Sequence, residues 1–255
     1  MKPSKTDLGP EVERAEGAPE VDSPFPVDVA AGSPPALHTG TLLVDRYRVV
    51  RFLARGGMGE VYEAEDLELR TRVALKTLRR ELASDDGALE RFRREILLSR
   101  RVTHPNVCRV FEVFRQPVEN GSAVFLTMEM LPGETLSQLV RARGHLTIAE
   151  AAPIVRQLCD ALSAAHAVEV VHRDFKTANV MIVPGEPERV VVTDFGLARA
   201  LDLPPGDDSR QGRRVGTSAY MAPEQVSGGP ISIRTDVYAL GIVLFEMVTG
   251  PARGT

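Results

Sequence analysis

Apolar and polar residues alternate in three short runs near the start of the ordered pattern. Tyr47-Arg48-Val49-Val50-Arg51-Phe52-Leu53, Glu60-Val61-Tyr62-Glu63-Ala64-Glu65 and Arg72-Val73-Ala74-Leu75-Lys76-Thr77-Leu78 each predict a strand. Between the first two lies Ala54-Arg55-Gly56-Gly57-Met58-Gly59, a loop rich in glycine. The period then changes. Ser84-Asp85-Asp86 suits a helix cap, and Leu89, Phe92 and Ile96 follow at helical spacing, with Glu95 beside the stripe and facing inward. His104-Pro105-Asn106 breaks that helix. Val107–Phe114 and Ala123–Glu129 complete an expected sheet of five short strands, closed by the turn Met130-Leu131-Pro132-Gly133.

From there helices dominate. Leu136–Arg143 predicts a short helix ended by Gly144. Thr147-Ile148-Ala149-Glu150 reads as a capping box opening a long helix with Ile154, Leu158, Ala161 and Ala165 on one face. Val180–Val183 and Val190–Val192, around Glu186-Pro187-Glu188, predict a hairpin. A polar loop from Gly196 to about Gly216 is long for a compact domain, and such loops are often functional. Val237–Val248 is the longest apolar stretch; it is short and contains Glu246, so it reads as a buried core helix rather than a membrane span. Strands first and helices after give an α+β class.

Composition changes the picture at the ends and on the surface. Residues 1–42 are rich in Pro, Ala, Gly and acidic side chains without an apolar period, so they read as a disordered, solvated tail. No apolar core like that of a signal peptide is present at the N-terminus. A formal net charge of -4 argues against a general nucleic-acid binder. Cys108 and Cys159 are too few for a disulfide framework; they read as small core hydrophobes in a reduced, cytoplasmic setting. His145 and His166 read as helix-end histidines, since no metal-like spacing accompanies them.

The candidate chemistry gathers on the hairpin. It presents Asp174, Lys176 and Asn179 on one side and Asp194 on the other. Two carboxylates, an amide oxygen and an ammonium suit Mg²⁺ and a triphosphate, because Mg²⁺ takes a few carboxylate oxygens together with phosphate oxygens. The glycine loop lets backbone N–H groups approach phosphates closely, although an ordinary hairpin turn has the same composition. A Walker loop is excluded because Gly-Lys-Ser/Thr is absent, and a dinucleotide fold because a strand follows the loop instead of a helix. Lys76 sits in an apolar strand, where an ammonium is costly unless it is paired or reaches water at an edge. Glu95 has Arg91 and Arg94 nearby, which taken alone is an ordinary surface pair.

Taken in order, the glycine loop, Lys76, Glu95, His172-Arg173-Asp174, Asp194-Phe195-Gly196 and Ala222-Pro223-Glu224 resemble the motif set of bacterial eukaryotic-like serine/threonine protein kinases, from about Tyr47 to Gly250. The resemblance implies a two-lobed fold with an N-lobe at residues 43–131 and a mainly helical C-lobe at residues 132–255. It implies ATP and Mg²⁺ as cofactors and protein substrates with Ser or Thr acceptors. By the same resemblance Asp174 is the catalytic base, Lys176 neutralises the moving γ-phosphoryl, and Asn179 and Asp194 hold Mg²⁺. Lys76, fixed by Glu95, binds the α- and β-phosphates. Leu53, Ala54, Gly56, Gly57 and Gly59 cover the nucleotide; Val61, Ala74 and Met181 sandwich adenine, which meets the main chain of Glu129 and Leu131. Arg173 is expected to dock an activation-loop phosphate on Ser209, with Ser218 as the second choice, and Thr217 to bond Asp174 and Lys176.

The chain departs from that pattern in several places. Ala54 replaces the first loop glycine, Phe175 and Thr177 replace the usual Leu and Pro, and Ser99 stands where a hydrophobic residue is usual. Family domains continue past Gly250, so the expected C-lobe lacks its last helices and Glu224 lacks its usual arginine, with Arg234 and Arg253 as possible substitutes. The alternative function is a truncated or inactive kinase-like module that binds nucleotide or partners without transferring phosphate.

Overall fold

The computed structural model of the chain describes residues 34–251 apart from residues 58, 80–82, 84, 119–120 and 196–217. Strands β1 (Leu42–Leu43), β2 (Tyr47–Arg55), β3 (Glu60–Asp66) and β4 (Thr71–Thr77) pair in sequence order, all antiparallel. β6 (Gly121–Glu129) lies between β4 and β5 (Val110–Val118). The sheet therefore has six strands where five were expected. The extra one, β1, pairs Leu42 with Arg48 and Leu43 with Tyr47, and so covers backbone groups that the edge of β2 would otherwise leave open. β5 starts later than the apolar run at Val107, because Val107 makes a separate parallel bridge to Val192.

Ordered contacts also begin ahead of the expected tail boundary at residue 42. The Ala36 N–H donates to Glu60 Oε2 at 2.9 Å and the Leu37 N–H to the Tyr62 hydroxyl at 3.0 Å. Two acceptors on β3 thus hold a segment whose own sequence has no periodicity. Residues 1–33 lie outside the described residues.

The two faces of the sheet carry different cores. One is aromatic: Tyr47, Tyr62 and Phe125 are buried with Val49 and Leu75, and Phe114 stacks on Phe125 with ring centroids 5.1 Å apart. On the other face helix α1 (Asp86–Ser99) buries Leu89, Phe92 and Ile96 against Val124 and Leu126, as their spacing predicts. Each such side chain contributes about 1.5–3 kcal/mol when fully buried. Asp85 caps α1 by accepting the N–H groups of Gly87 and Ala88.

In the second lobe β7 (Glu134–Thr135) leads into α2 (Leu136–Arg143), capped by Thr135 and ended by Gly144 at φ 81°. α3 (Ile148–His166) starts at the Thr147–Glu150 capping box and buries Ile154, Leu158, Ala161 and Ala165. These pack with β8 (Val180–Val183) and β9 (Arg189–Val192), paired in the register Val180 to Val192. Asn106 ties the lobes: its Nδ2 donates to Val190 O and to Gln157 Oε1, each at 2.7 Å.

One expectation holds on one side of its helix and another fails. Helix α5 (Ile233–Thr249) turns Thr235, Asp236, Ala239, Val243 and Met247 to the core, whereas Val237 and Phe245 are 58% and 64% exposed. A helix that is apolar on every side has no phase to read, and only one side is covered here. Cys159 is exposed, one position off the buried Leu158 stripe, while Cys108 is buried as expected.

Candidate active site

The loop from His172 to Asn179 is shaped from behind. Asp236 near the start of α5 is 1% exposed, and its carboxylate accepts the N–H groups of His172 at 2.8 Å and Arg173 at 2.9 Å. His166, at the end of α3, brings Nε2 to within 2.7 Å of the same carboxylate. Gln225 in α4 (Pro223–Ser227) donates its Nε2 to Arg173 O at 2.7 Å. Between these anchors Arg173 takes φ 69°, a left-handed conformation that non-glycine residues adopt at a cost of order 1–3 kcal/mol. Neither Asp236 nor Gln225 is singled out by the sequence reading. A carboxylate in the first turn of an apolar helix is the signal that could have found Asp236.

Held this way, Asp174 meets its neighbours. Lys176 Nζ lies 2.8 Å from Asp174 Oδ2, and Asn179 Nδ2 donates to Asp174 O at 2.8 Å and to Oδ2 at 3.3 Å. Asn179 ends the 3-10 turn Thr177–Asn179, and its carbonyl accepts both the N–H and the hydroxyl of Thr193. That pairing sets Asp194, the next residue, beside the loop. His172 Nε2 lies 2.9 Å from Thr193 O and its ring packs on Phe195, with centroids 4.7 Å apart. Phe175, in place of the usual leucine, meets the other side of His172 edge-on at 5.4 Å.

Asp194 also takes a left-handed φ of 61°. Burial pushes its carboxyl up, but the Lys76 ammonium and its hydrogen bond, with smaller help from His172 and Lys176, outweigh burial and hold it below the usual carboxylate range. Lys76 Nζ is 2.7 Å from Asp194 Oδ1. The expected pairing of Lys76 with Glu95 is therefore not the one observed. Glu95, buried on α1, instead faces Arg173, with Nη1 and Oε1 3.5 Å apart. Lys76 has two acidic residues to choose from, and the strand-to-loop contact brings Asp194 closer.

The residues expected to face a nucleotide lie on the sheet side of the cleft. The Gly56 N–H donates to Gly59 O at 2.8 Å, which closes the glycine loop. Gly59, at φ 157°, passes so near β4 that a Cβ there would sit 1.8 Å from Thr77 O. Gly57 is open to solvent on that measure, with nothing within 4 Å of such a Cβ. Ala54 lies opposite Val61, Val61 opposite Lys76, and Ala74 opposite Met128. Leu53 is fully buried. Leu131 and Met181 form an apolar cluster with Cys108 and Val191, two residues that the sequence reading did not place at the site. Burial raises the Cys108 thiol well above its ordinary pKa, so it behaves as a neutral hydrophobe. The Glu129 carboxylate is paired with Arg189. Behind Asp194 and Phe195 runs a small cavity lined by Ser99, Cys108 and Met128, with the Ser99 hydroxyl turned to Ile96 O.

These residues fit a nucleotide with Mg²⁺. One carboxylate and one amide oxygen, from Asp194 and Asn179, make a sparse set of hard oxygen donors of the kind that shares Mg²⁺ with phosphates, and a buried ammonium stands beside them. Among the described residues no group of three or more His, Cys, Asp or Glu side chains could hold a metal alone. Ser209 and Thr217 lie outside the described residues, and Ser218 opens the 3-10 turn Ser218–Tyr220. Glu224 does not pair with Arg234. Its Oε1 accepts the buried Thr235 hydroxyl at 2.7 Å, and that bond lowers its pKa.

Residues 47–253 match the family model described as the protein kinase domain. The serine/threonine-protein kinase PknA of Mycobacterium tuberculosis is 40% identical over 212 residues, which is 83% of this chain and 48% of that protein. The serine/threonine-protein kinase pkn3 of Myxococcus xanthus is 39% identical over 219 residues, covering 84% of this chain and 39% of pkn3. The chain thus spans half or less of the length of these relatives. Among solved structures, the Mycobacterium tuberculosis PknI kinase domain superposes with a TM-score of 0.66 at 28% identity, over 86% of this chain and 82% of that one. With the two lobes, the paired Asp174 and Lys176, and the Lys76–Asp194 contact all in place, the chain belongs to the protein kinase family.

Proposed function

We propose that the chain transfers the γ-phosphoryl group of ATP to Ser or Thr hydroxyls of protein substrates. The observation that carries this reading is the convergence of two ion pairs in one cleft, Lys176 with Asp174 and Lys76 with Asp194, linked by the Asn179–Thr193 contact. The relatives at about 40% identity are named serine/threonine-protein kinases.

Each residue then has a task. Asp174 accepts the acceptor hydroxyl's proton as the new O–P bond forms and the bond between the γ-phosphorus and the β-phosphate oxygen breaks. Lys176, already 2.8 Å from Asp174, offsets charge on the phosphoryl oxygens in flight. Lys76 would exchange Asp194 for the α- and β-phosphates, and Asp194 and Asn179 would hold the metal. Bound Mg²⁺ supplies charge neutralisation on the phosphates and fixes their geometry. Backbone N–H groups of the glycine loop hold the phosphates, and Val61, Ala74, Leu131 and Met181 supply the apolar walls for adenine.

Control fits the same reading. Arg173 would leave Glu95 for a phosphate on Ser209, or on Ser218, and Thr217 would join Asp174 and Lys176 at the acceptor site. The partners are proteins rather than nucleic acids, in keeping with the net charge of -4. The compartment is the cytoplasm, in keeping with two free cysteines and with no described helix long and apolar enough to cross a membrane.

The test is single-turnover transfer from labelled ATP to a generic basic protein. Asp174→Asn should bind ATP nearly as well as the parent yet transfer about 10²–10⁴-fold more slowly, the range for loss of a positioned base. Equal rates in the two proteins would overturn the assignment.

A further inference from the structure

Thr177 is one of the positions where this chain leaves the family's catalytic-loop pattern, and its side chain is not idle. It is 1% exposed, and a buried hydroxyl requires a partner. Its Oγ1 lies 3.0 Å from the Tyr220 hydroxyl and 3.1 Å from Glu246 Oε2, and the Tyr220 hydroxyl donates to the same Oε2. Two hydroxyl protons serve three contacts. The Tyr220 proton goes to the carboxylate, and the Thr177 proton goes to Glu246 or to the Tyr220 oxygen. Burial and then the Glu246 contact push the Tyr220 phenol up to about 12, so it stays a donor at any physiological pH. Three separate elements meet in this cluster: the turn that carries Asn179, the segment just ahead of Ala222-Pro223-Glu224, and α5.

We propose that Thr177 is a positioning residue, which couples the height of Lys176 and Asn179 over Asp174 to the acceptor-side segment through Glu246. The inference rests on the kinase reading for its consequence in catalysis, though not for its structural content. Thr177 follows Lys176 directly. The Thr177 carbonyl accepts the Val180 N–H, and the Asn179 N–H bonds to Lys176 O, so the turn moves with its first residue. Asn179 reaches Asp174 only from that turn. Proline at this position would leave the Glu246–Tyr220 pair in place but sever it from the loop. In this chain a shift of Tyr220 or of α5 is transmitted to the residues that hold the phosphoryl group. A misplacement of about 1 Å there can cost up to 10²-fold in rate.

The experiment compares Thr177→Val, which keeps shape and loses the hydroxyl, with Thr177→Ser, Glu246→Ala and the double variant Thr177→Val/Glu246→Ala, all in the full chain. Amide hydrogen exchange is read at residues 177–180, and single-turnover kinetics are read alongside. Coupling predicts that Thr177→Val and Glu246→Ala each speed exchange at Asn179 and Val180 by about tenfold, that the double variant adds nothing further, and that Thr177→Ser restores the parent rate. It also predicts a kcat lowered by about tenfold with the KM for ATP unchanged, whereas general loosening would move both along with the melting temperature. Exchange at 177–180 unchanged in Thr177→Val, or additive effects in the double variant, overturns the coupling. A parent chain that transfers no phosphate, or an Asp174→Asn variant at the parent rate, overturns the kinase reading and leaves the exchange result to decide the coupling by itself.

Discussion

Lys76 on β4 and Asp194, 118 positions later, meet in a 2.7 Å hydrogen bond between ammonium and carboxylate. Each is the other's counter-charge in this state, so stability must follow the Asp194 proton. Because the folded-state pKa of Asp194 lies below its ordinary 3.8, the ionised pair stabilises the fold above that value, and the contribution disappears as pH falls through the lowered pKa. We expect the melting temperature of the parent to fall more steeply below pH 4 than that of Asp194→Asn. Parallel curves for the two proteins would show that the contact contributes nothing to the fold.

Two glycines of one loop should respond differently to the same change. Gly59→Ala forces a Cβ against the Thr77 carbonyl at a backbone angle that side chains rarely adopt, which costs of order 1–3 kcal/mol and opens the loop over the nucleotide. Gly57→Ala meets nothing within 4 Å and should be nearly neutral. Thermal shift with and without ATP distinguishes them: the first variant should lose both stability and ligand response, and the second should keep the parent's stability.

The Glu224 carboxyl is held below its ordinary 4.5 by the Thr235 hydroxyl first and by a backbone N–H second. Thr235→Val should raise that pKa toward 4.5, and Arg234→Ala should not move it. Side-chain carbon NMR of Glu224 across pH 2–7 reads both. A shift in the arginine variant alone would reinstate an ion pair with Arg234.

Phe245, at 64% exposed, and Val237, at 58%, lie on the uncovered side of α5. Apolar surface of this kind promotes association. Sedimentation of the parent should show self-association that rises with concentration, and Phe245→Lys should shift the distribution toward monomer without lowering the melting temperature. A parent that stays monomeric at high concentration would remove the basis for this expectation.

Much of the fold can be read locally. The alternation around Val61 and Leu75, the helical spacing of Leu89, Phe92 and Ile96, and the caps at Asp85 and Thr147 each depend on neighbours within a few residues, and each element forms where its pattern lies. What escapes is decided across long distances in sequence. A two-residue strand at Leu42–Leu43 has no period to detect and exists because β2 offers it an edge. The partner of Lys76 is settled by which carboxylate the tertiary structure brings nearest, and helix spacing near Glu95 carries no information on that. Asp236 reads as a helix-start acid until the backbone of His172 and Arg173 is seen resting on it. Which side of α5 is exposed escapes for the converse reason: its residues are as apolar as those it buries.

The grip of Asp236 on the N–H groups of His172 and Arg173 has a consequence for the order in which the molecule is made. A chain emerging from the ribosome presents Asp174, Lys176, Asn179 and Asp194 well before the residue that bends their loop into shape. Domains are completed as units during synthesis, and contacts of long sequence separation close late. Nascent chains halted between residues 200 and 222 therefore carry Asp174, Lys176, Asn179 and Asp194 without Gln225 or Asp236, two of the groups that hold the loop. The backbone of His172 and Arg173 gains its Asp236 acceptor only when α5 docks.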